Sequence, residues 1–162
     1  MTEVLLGLGS NIDARENLPA GLGELGALFG TVECSPVYEG AAIGFAGDPF
    51  TNLVVSAQTE LRVGELQRTL RNIEFAHGRP QNAERCSPRT LDIDILLFGD
   101  ASGLVDGIEL PRREILQHAF VLRPLSDLRP AMRHPVDGRS FAELWNAFDQ
   151  EAQPLRPVSL LV

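Results

Sequence analysis

PRTLDIDILLFG, residues 88–99, is the stretch on which the fold turns. Leu91 to Phe98 reads as a strand, and Gly99-Asp100 closes it with a turn signal. Side chains on a strand alternate between faces, so Asp92 and Asp94 point the same way, roughly 6.6 Å apart at Cα. Leu96 and Phe98 continue that face, while Ile93, Ile95 and Leu97 take the other. Both faces are largely apolar, as in a central strand.

Immediately upstream lies a polar, proline-bounded loop, RPQNAERCSPR, residues 79–89. Before it, Leu66, Leu70, Ile73 and His77 form one stripe at helical spacing that ends at Gly78, which predicts a helix over 63–77. Residues 50–61, with Val54-Val55, predict a strand, and residues 40–49, with three Gly, three Ala and one Pro, a mobile loop. Residues 31–38 predict another strand, placed at an edge or a bulge by Pro36. Leu18, Leu22, Leu25 and Leu28-Phe29 predict a helix over 16–29, with Pro19 near its start. Residues 4–8 are a buried strand running into a tight turn at Gly9-Ser10-Asn11.

Downstream, residues 115–128 predict a helix that Pro124 shortens or kinks. His134-Pro135 and Asp137-Gly138 mark turns, and residues 141–148 a last short helix. The order is β-α-β-β-α-β with C-terminal helical additions. That is the ferredoxin-like α+β plan: an antiparallel sheet with helices on one face, here as one domain over residues 1–162.

The net charge of −8 argues against nucleic-acid binding, whose affinity comes mostly from neutralised phosphates. All 14 basic residues are Arg, a side chain that grips phosphate with a planar fork. Cys34 and Cys86 show neither disulfide nor zinc spacing and read as buried free thiols, Cys34 as core packing. The opening MTEVLLGLGS lacks a basic start and a long apolar stretch, and no segment approaches the ~20 apolar residues of a membrane span. A soluble, cytoplasmic protein is expected, with no membrane partner and a monomer favoured.

Two carboxylates beside an apolar surface repel each other and are costly to desolvate unless a cation joins them. Oxygen ligands without His or Cys favour Mg²⁺, and two ions could each touch both Asp92 and Asp94. The plain structural alternative is an acid pair at the wet end of a strand. Against it stands a local excess of cations: residues 62–89 hold six Arg against three Glu, with Arg79, Arg85 and Arg89 just ahead of Asp92 and Arg71 on the preceding helix. Cations beside a metal pair call for an anion between them, and a polyphosphate fits. GLGELG, residues 21–26, spells a dinucleotide fingerprint but lies inside a helical pattern, so it is set aside. His77, His118 and His134 are too scattered for a metal site.

At this point the chain resembles the 6-hydroxymethyl-7,8-dihydropterin pyrophosphokinases of folate synthesis. The similarity runs from LGLGSN to about Leu144, and RCSPRTLDIDILLFG is its most specific part. FTNLVV, IEFAHGR, AFVLRPL and HPVDGRSFAEL support it. The family has the fold derived above and moves the β,γ-pyrophosphoryl group of ATP onto the pterin hydroxymethyl oxygen, releasing AMP. The resemblance implies that Asp92 and Asp94 hold two Mg²⁺ and that Arg79 and Arg89 steady the phosphates. Arg71, Glu74, Ile95, Arg112 and His118 would border ATP. Phe50, Asn52 and Phe120 would form the pterin pocket, with Gly40 and Ile43 supplying backbone and wall contacts.

The chain departs from the family pattern in the lid. Cys86-Ser87 replaces a bulky aromatic and Gly, and Gln81 replaces a second loop Arg. Arg112 stands for a His, and His118 for an Arg, so His118 carries charge only part of the time near neutral pH. A working pyrophosphokinase and a diverged relative that binds nucleotide or pterin without turnover both fit these residues. An RNA-binding ferredoxin-like module fits neither the charge nor the aspartates.

Overall fold

The computed structural model describes residues 1–41, 49–77 and 90–160. Ile43, Arg79, Gln81, Cys86, Ser87 and Arg89 lie outside them, as do residues 42–48 of the loop expected to be mobile and all of the loop 79–89.

The sheet is antiparallel, in the order β5–β1–β4–β3–β8, with β2 also on β4. Its strands are β1 (Thr2–Ser10), β2 (Glu33–Cys34), β3 (Val37–Gly40), β4 (Phe50–Thr59), β5 (Asp92–Phe98) and β8 (Arg156–Val158). A separate hairpin pairs β6 (Gly103–Val105) with β7 (Ile108–Leu110). Helices α1 (Ala14–Phe29) and α2 (Val63–Ala76) lie on one face, and α3 (Ala119–Leu128) and α4 (Phe141–Ala147) on the other. The first seven elements, β1 to β5 with α1 and α2, form the ferredoxin-like unit, and the C-terminal helices cover the face that such a unit leaves bare.

Leucine spacing sets the helices. Leu18 and Leu25 of α1, and Leu66 and Leu70 of α2, have no exposed surface and pack on Val4, Leu6, Leu8, Ile93 and Ile95. Each such leucine contributes roughly 2 kcal/mol of transfer free energy. On the far face Leu122, Leu125 and Phe141 cover Leu5, Val54 and Leu96. Ser140 caps α4 by accepting from Glu143 N, while Glu143 accepts from Ser140 N at 3.1 Å. Among the described residues no helix is long and apolar enough to cross a membrane.

Four expectations are corrected. β5 is apolar on both faces, yet it is an outer strand that pairs only β1 among the described residues. Helices cover both its faces, and that rather than a central place explains its composition. The register then slips, since Leu6 pairs Ile95 while Leu5 pairs Leu97. Leu96 is thus the extra residue of a bulge, which sends Leu97 to the face of the aspartates and Phe98 to the opposite one. Gly9 lies within β1 rather than in a turn. Cys34 is exposed, not core, because β2 is two residues of paired but uncovered strand.

Pro36 splits the expected strand 31–38 into β2 and β3. Ser35 bridges the break, donating N–H to Val54 O at 2.8 Å and accepting Val54 N–H at its Oγ, also 2.8 Å. The expected helix 115–128 begins at Ala119, after a 3-10 turn over Arg113–Leu116. Pro124 is accommodated inside α3. His134 sits in the expected turn, its Nδ1 accepting from Val136 N and Asp137 N at 3.2 and 3.0 Å.

Candidate active site

Residues directly opposite one another in an antiparallel pair share a face. Gly9 pairs Asp92 on one side and Asn52 on the other, and Gly7 pairs Asp94. Asp92, Asp94, Gly9, Asn52 and, two residues on, Phe50 therefore form one floor on the face that carries α3. The glycine is what keeps that floor level. A Cβ on Gly9 would stand 2.6 Å from Asn52 Nδ2 and 3.7 Å from a ring carbon of Phe50. Asn52 is buried, and its Oδ1 has no hydrogen-bond partner among the described residues.

α3 supplies the wall. His118 is its N-cap residue, and Phe120 packs on the cluster under the helix. The two rings stack, with centroids 5.0 Å apart and planes 9° apart. His118 Nδ1 is buried without a partner among the described residues. Burial pushes the imidazole below its ordinary range, partly opposed by the charge of Glu114.

Among the described residues two arginines approach the acid pair. Burial first, and then the charge of Asp92, push the Asp94 carboxyl up to about 7, with Arg112 and Arg71 pulling the other way. Arg112 Nη2 is 3.6 Å and Arg71 Nη2 4.0 Å from Asp94 Oδ1. Arg112 is tied to the outer edge of β5 by its N–H, which donates to Leu96 O at 2.9 Å, and its Nε lies 2.9 Å from Glu114. Arg71 is braced by a close pair with Glu74.

Glu74 is wholly buried, and its second oxygen accepts the Ile93 N–H at 2.8 Å. It therefore braces α2 against β5 between the two aspartates. The Ile95 side chain is equally buried, in the core beneath α2, so it presents main chain only to the site. Gly40 pairs Phe50 and so borders the floor, but Leu155 lies over it, 2.8 Å from where a Cβ would be. The structure brings Asp92, Asp94, Arg71, Arg112, Asn52 and Phe50 to one face. Gly9 and Leu155 were not read as site residues; the only sequence signal was a glycine two places after Gly7 in a strand pattern.

Fold and floor define a class: a ferredoxin-like α+β protein with a small-molecule face on one side of its sheet. Residues 5–130 match the family model described as 7,8-dihydro-6-hydroxymethylpterin-pyrophosphokinase (HPPK). A Pseudomonas aeruginosa protein named 2-amino-4-hydroxy-6-hydroxymethyldihydropteridine pyrophosphokinase is 40% identical over 145 residues, 87% of this chain and 88% of that one. A Synechocystis protein of the same name is 31% identical over 148 residues, covering 90% and 75%. A Plasmodium falciparum HPPK-DHPS crystal structure superposes with a TM-score of 0.74 at 15% identity, over 90% of this chain and 41% of that one, and so supports the fold. The chain belongs to the 7,8-dihydro-6-hydroxymethylpterin-pyrophosphokinase family.

Proposed function

We propose that this chain transfers the β,γ-pyrophosphoryl group of ATP to the hydroxymethyl oxygen of 6-hydroxymethyl-7,8-dihydropterin, releasing AMP, in folate synthesis. The observation that supports it best is the row Asp92–Gly9–Asn52 across three strands. It sets an acid pair and an amide on one floor, roughly 9.6 Å apart at Cα, with a glycine between them. Two substrates can lie end to end there, the polyphosphate over the acids and the pterin over the amide. The buried Asn52 Oδ1 needs a donor, and the amino and N–H edge of a pterin offers one. Phe50 and Phe120 are suited to sandwich the flat bicycle.

Asp92 and Asp94 fit Mg²⁺. A carboxyl pushed up to about 7 by burial and then by its neighbour's charge is a site that favours an added cation, and both donors are oxygen. Among the described residues no group of three acidic, His or Cys side chains could hold a metal. Mg²⁺ takes one or two carboxylates and completes its shell with water and substrate phosphates. Bound there, the ion supplies charge neutralisation to the polyphosphate. Two ions would share the pair, as the family resemblance implies.

The protein's own part is positioning. Arg71 and Arg112 flank the acids, and the family resemblance assigns Arg79 and Arg89, outside the described residues, to the phosphates. Asn52 and the two rings fix the pterin so that its hydroxyl oxygen meets the β-phosphorus in line. That oxygen forms the new P–O bond, the bond to the α,β-bridging oxygen breaks, AMP leaves with it, and the hydroxyl proton passes to solvent. Incubation with ATP, Mg²⁺ and the pterin tests the reading. AMP is expected only when all three are present. ADP as the main product, or no nucleotide product at all, overturns it.

A further inference from the structure

The family match ends at residue 130, yet the segment that follows α4 returns to the site. Gln153 makes two hydrogen bonds at the start of α3: its Oε1 accepts the Ala119 N–H and its Nε2 donates to Gln117 O, both at 2.9 Å. The first N–H groups of a helix have no partner within it. His118, in the N-cap position, makes no side-chain cap bond. Gln153 therefore does the capping from 34 residues away. Two residues on, Leu155 lies over Gly40, on the floor beside Phe50. Arg156–Val158 then pairs with β3, Val37 against Val158 and Glu39 against Arg156.

One short segment thus touches both sides of the pterin pocket. At one end it holds Ala119, which precedes Phe120. At the other it covers Gly40, the strand partner of Phe50. We propose that Gln153 and Leu155 are positioning residues of that pocket, tying the N-terminus of α3 to the end of β3 and so fixing the gap between Phe120 and Phe50. Elsewhere α3 is joined to the sheet by Tyr38, whose ring lies under Arg123 and whose hydroxyl donates to Asp127 in the helix's last turn, and by apolar packing on its inner face, which tolerates small slides. A two-bond clamp with fixed donor and acceptor directions does not. A flat ring held between two others is sensitive to that gap, since stacking contacts fall away within an ångström.

This inference rests on the assignment of Phe50 and Phe120 to the pterin. The test uses the full chain carrying Gln153→Ala, Leu155→Ala or both, with Phe50→Ala and Phe120→Ala beside them. Calorimetric titration with 6-hydroxymethyl-7,8-dihydropterin and steady-state kinetics give the readouts. Each single variant is expected to weaken pterin binding about threefold and the pair about tenfold, while KM for ATP stays within about twofold. Gln153→Glu keeps the acceptor and loses the donor, and should fall between wild type and Gln153→Ala. Gln150→Ala removes a comparable bond, from Gln150 Nε2 to Trp145 O at 3.0 Å, and should leave pterin binding unchanged. Unchanged pterin affinity in the double variant overturns the proposal. So does a parallel loss of pterin and ATP affinity that follows a lowered melting temperature, because that marks a general structural role. If the ring variants bind pterin normally, the pocket assignment fails and the proposal with it; if they do not and the segment variants do, only the proposal fails.

Discussion

The side-chain amide of Asn52 lies across the backbone of Gly9, so closely that a methyl group on Gly9 would come within 2.6 Å of Asn52 Nδ2. Asn52 is a short side chain on a central strand with almost no exposed surface, so it has little room to yield. Gly9→Ala should therefore turn the amide away without unfolding the sheet. Pterin affinity is expected to fall at least about tenfold with KM for ATP much less changed, as read by titration and kinetics. Equal loss for both substrates would mean that the strand, not the amide, had moved.

Asp94→Asn should abolish turnover and yet stabilise the metal-free protein at neutral pH. In the folded state burial and the charge of Asp92 push the carboxyl up to about 7 from about 3.8 in an unfolded chain, so between those values the folded protein binds more protons than the unfolded. The group's contribution to stability consequently falls as pH rises through that window, reaching roughly 2–4 kcal/mol of penalty above it. Thermal melts with chelator across that range should show wild type losing ground to the variant as pH rises. With Mg²⁺ and nucleotide the order should reverse.

Much of this was legible in the sequence, and what was missed has common causes. The aspartates were found because alternation on a strand is local, and Leu66, Leu70 and Ile73 marked α2 because helical periodicity is local too. The edge position of β5 was not, since covering by helices and flanking by strands leave the same apolar record in Ile93 and Ile95. The bulge at Leu96 has no local signature in a run of aliphatic residues. Cys34 looks like core until one knows that β2 is short and uncovered. Gly9 looks like a turn until Asn52, forty-three residues later, is laid on top of it. Gln153 and Leu155 act through partners far away in the chain, and no spacing announces them.

His118 should give ATP binding a pH dependence. Burial lowers the imidazole's pKa, against the opposing charge of Glu114, so the ring gains its charge at a lower pH than an ordinary histidine. KM for ATP is expected to fall as pH drops to the acid side of neutrality, until protonation, which the folded state resists, begins to cost stability. His118→Arg supplies the charge at every pH and should flatten the profile. A steep profile retained by that variant would assign the dependence to another group.

Glu74→Gln should loosen β5. The change leaves Arg71 without its close anionic partner and weakens the acceptor for the Ile93 N–H. About 2–3 kcal/mol of stability should be lost in urea denaturation, together with a weaker thermal shift by Mg²⁺-nucleotide. A loss of stability with an unchanged ligand shift would show that the strand can slacken without disturbing the acids.

The pairing of β8 with β3 has one more consequence. Any open sheet offers a row of bare N–H and C=O groups at its margin, and such a row invites a second molecule to add itself as the next strand. Here the chain supplies its own next strand, and places Pro157 opposite Tyr38 within it. A proline has no N–H to offer, so the new margin cannot propagate pairing at that point. Arg156, held to Glu39 at 2.7 Å, adds a charge to the same margin. The segment proposed to shape the pocket thereby also closes this margin of the sheet with a poor template for further pairing, and losing it is expected to cost solubility as well as grip.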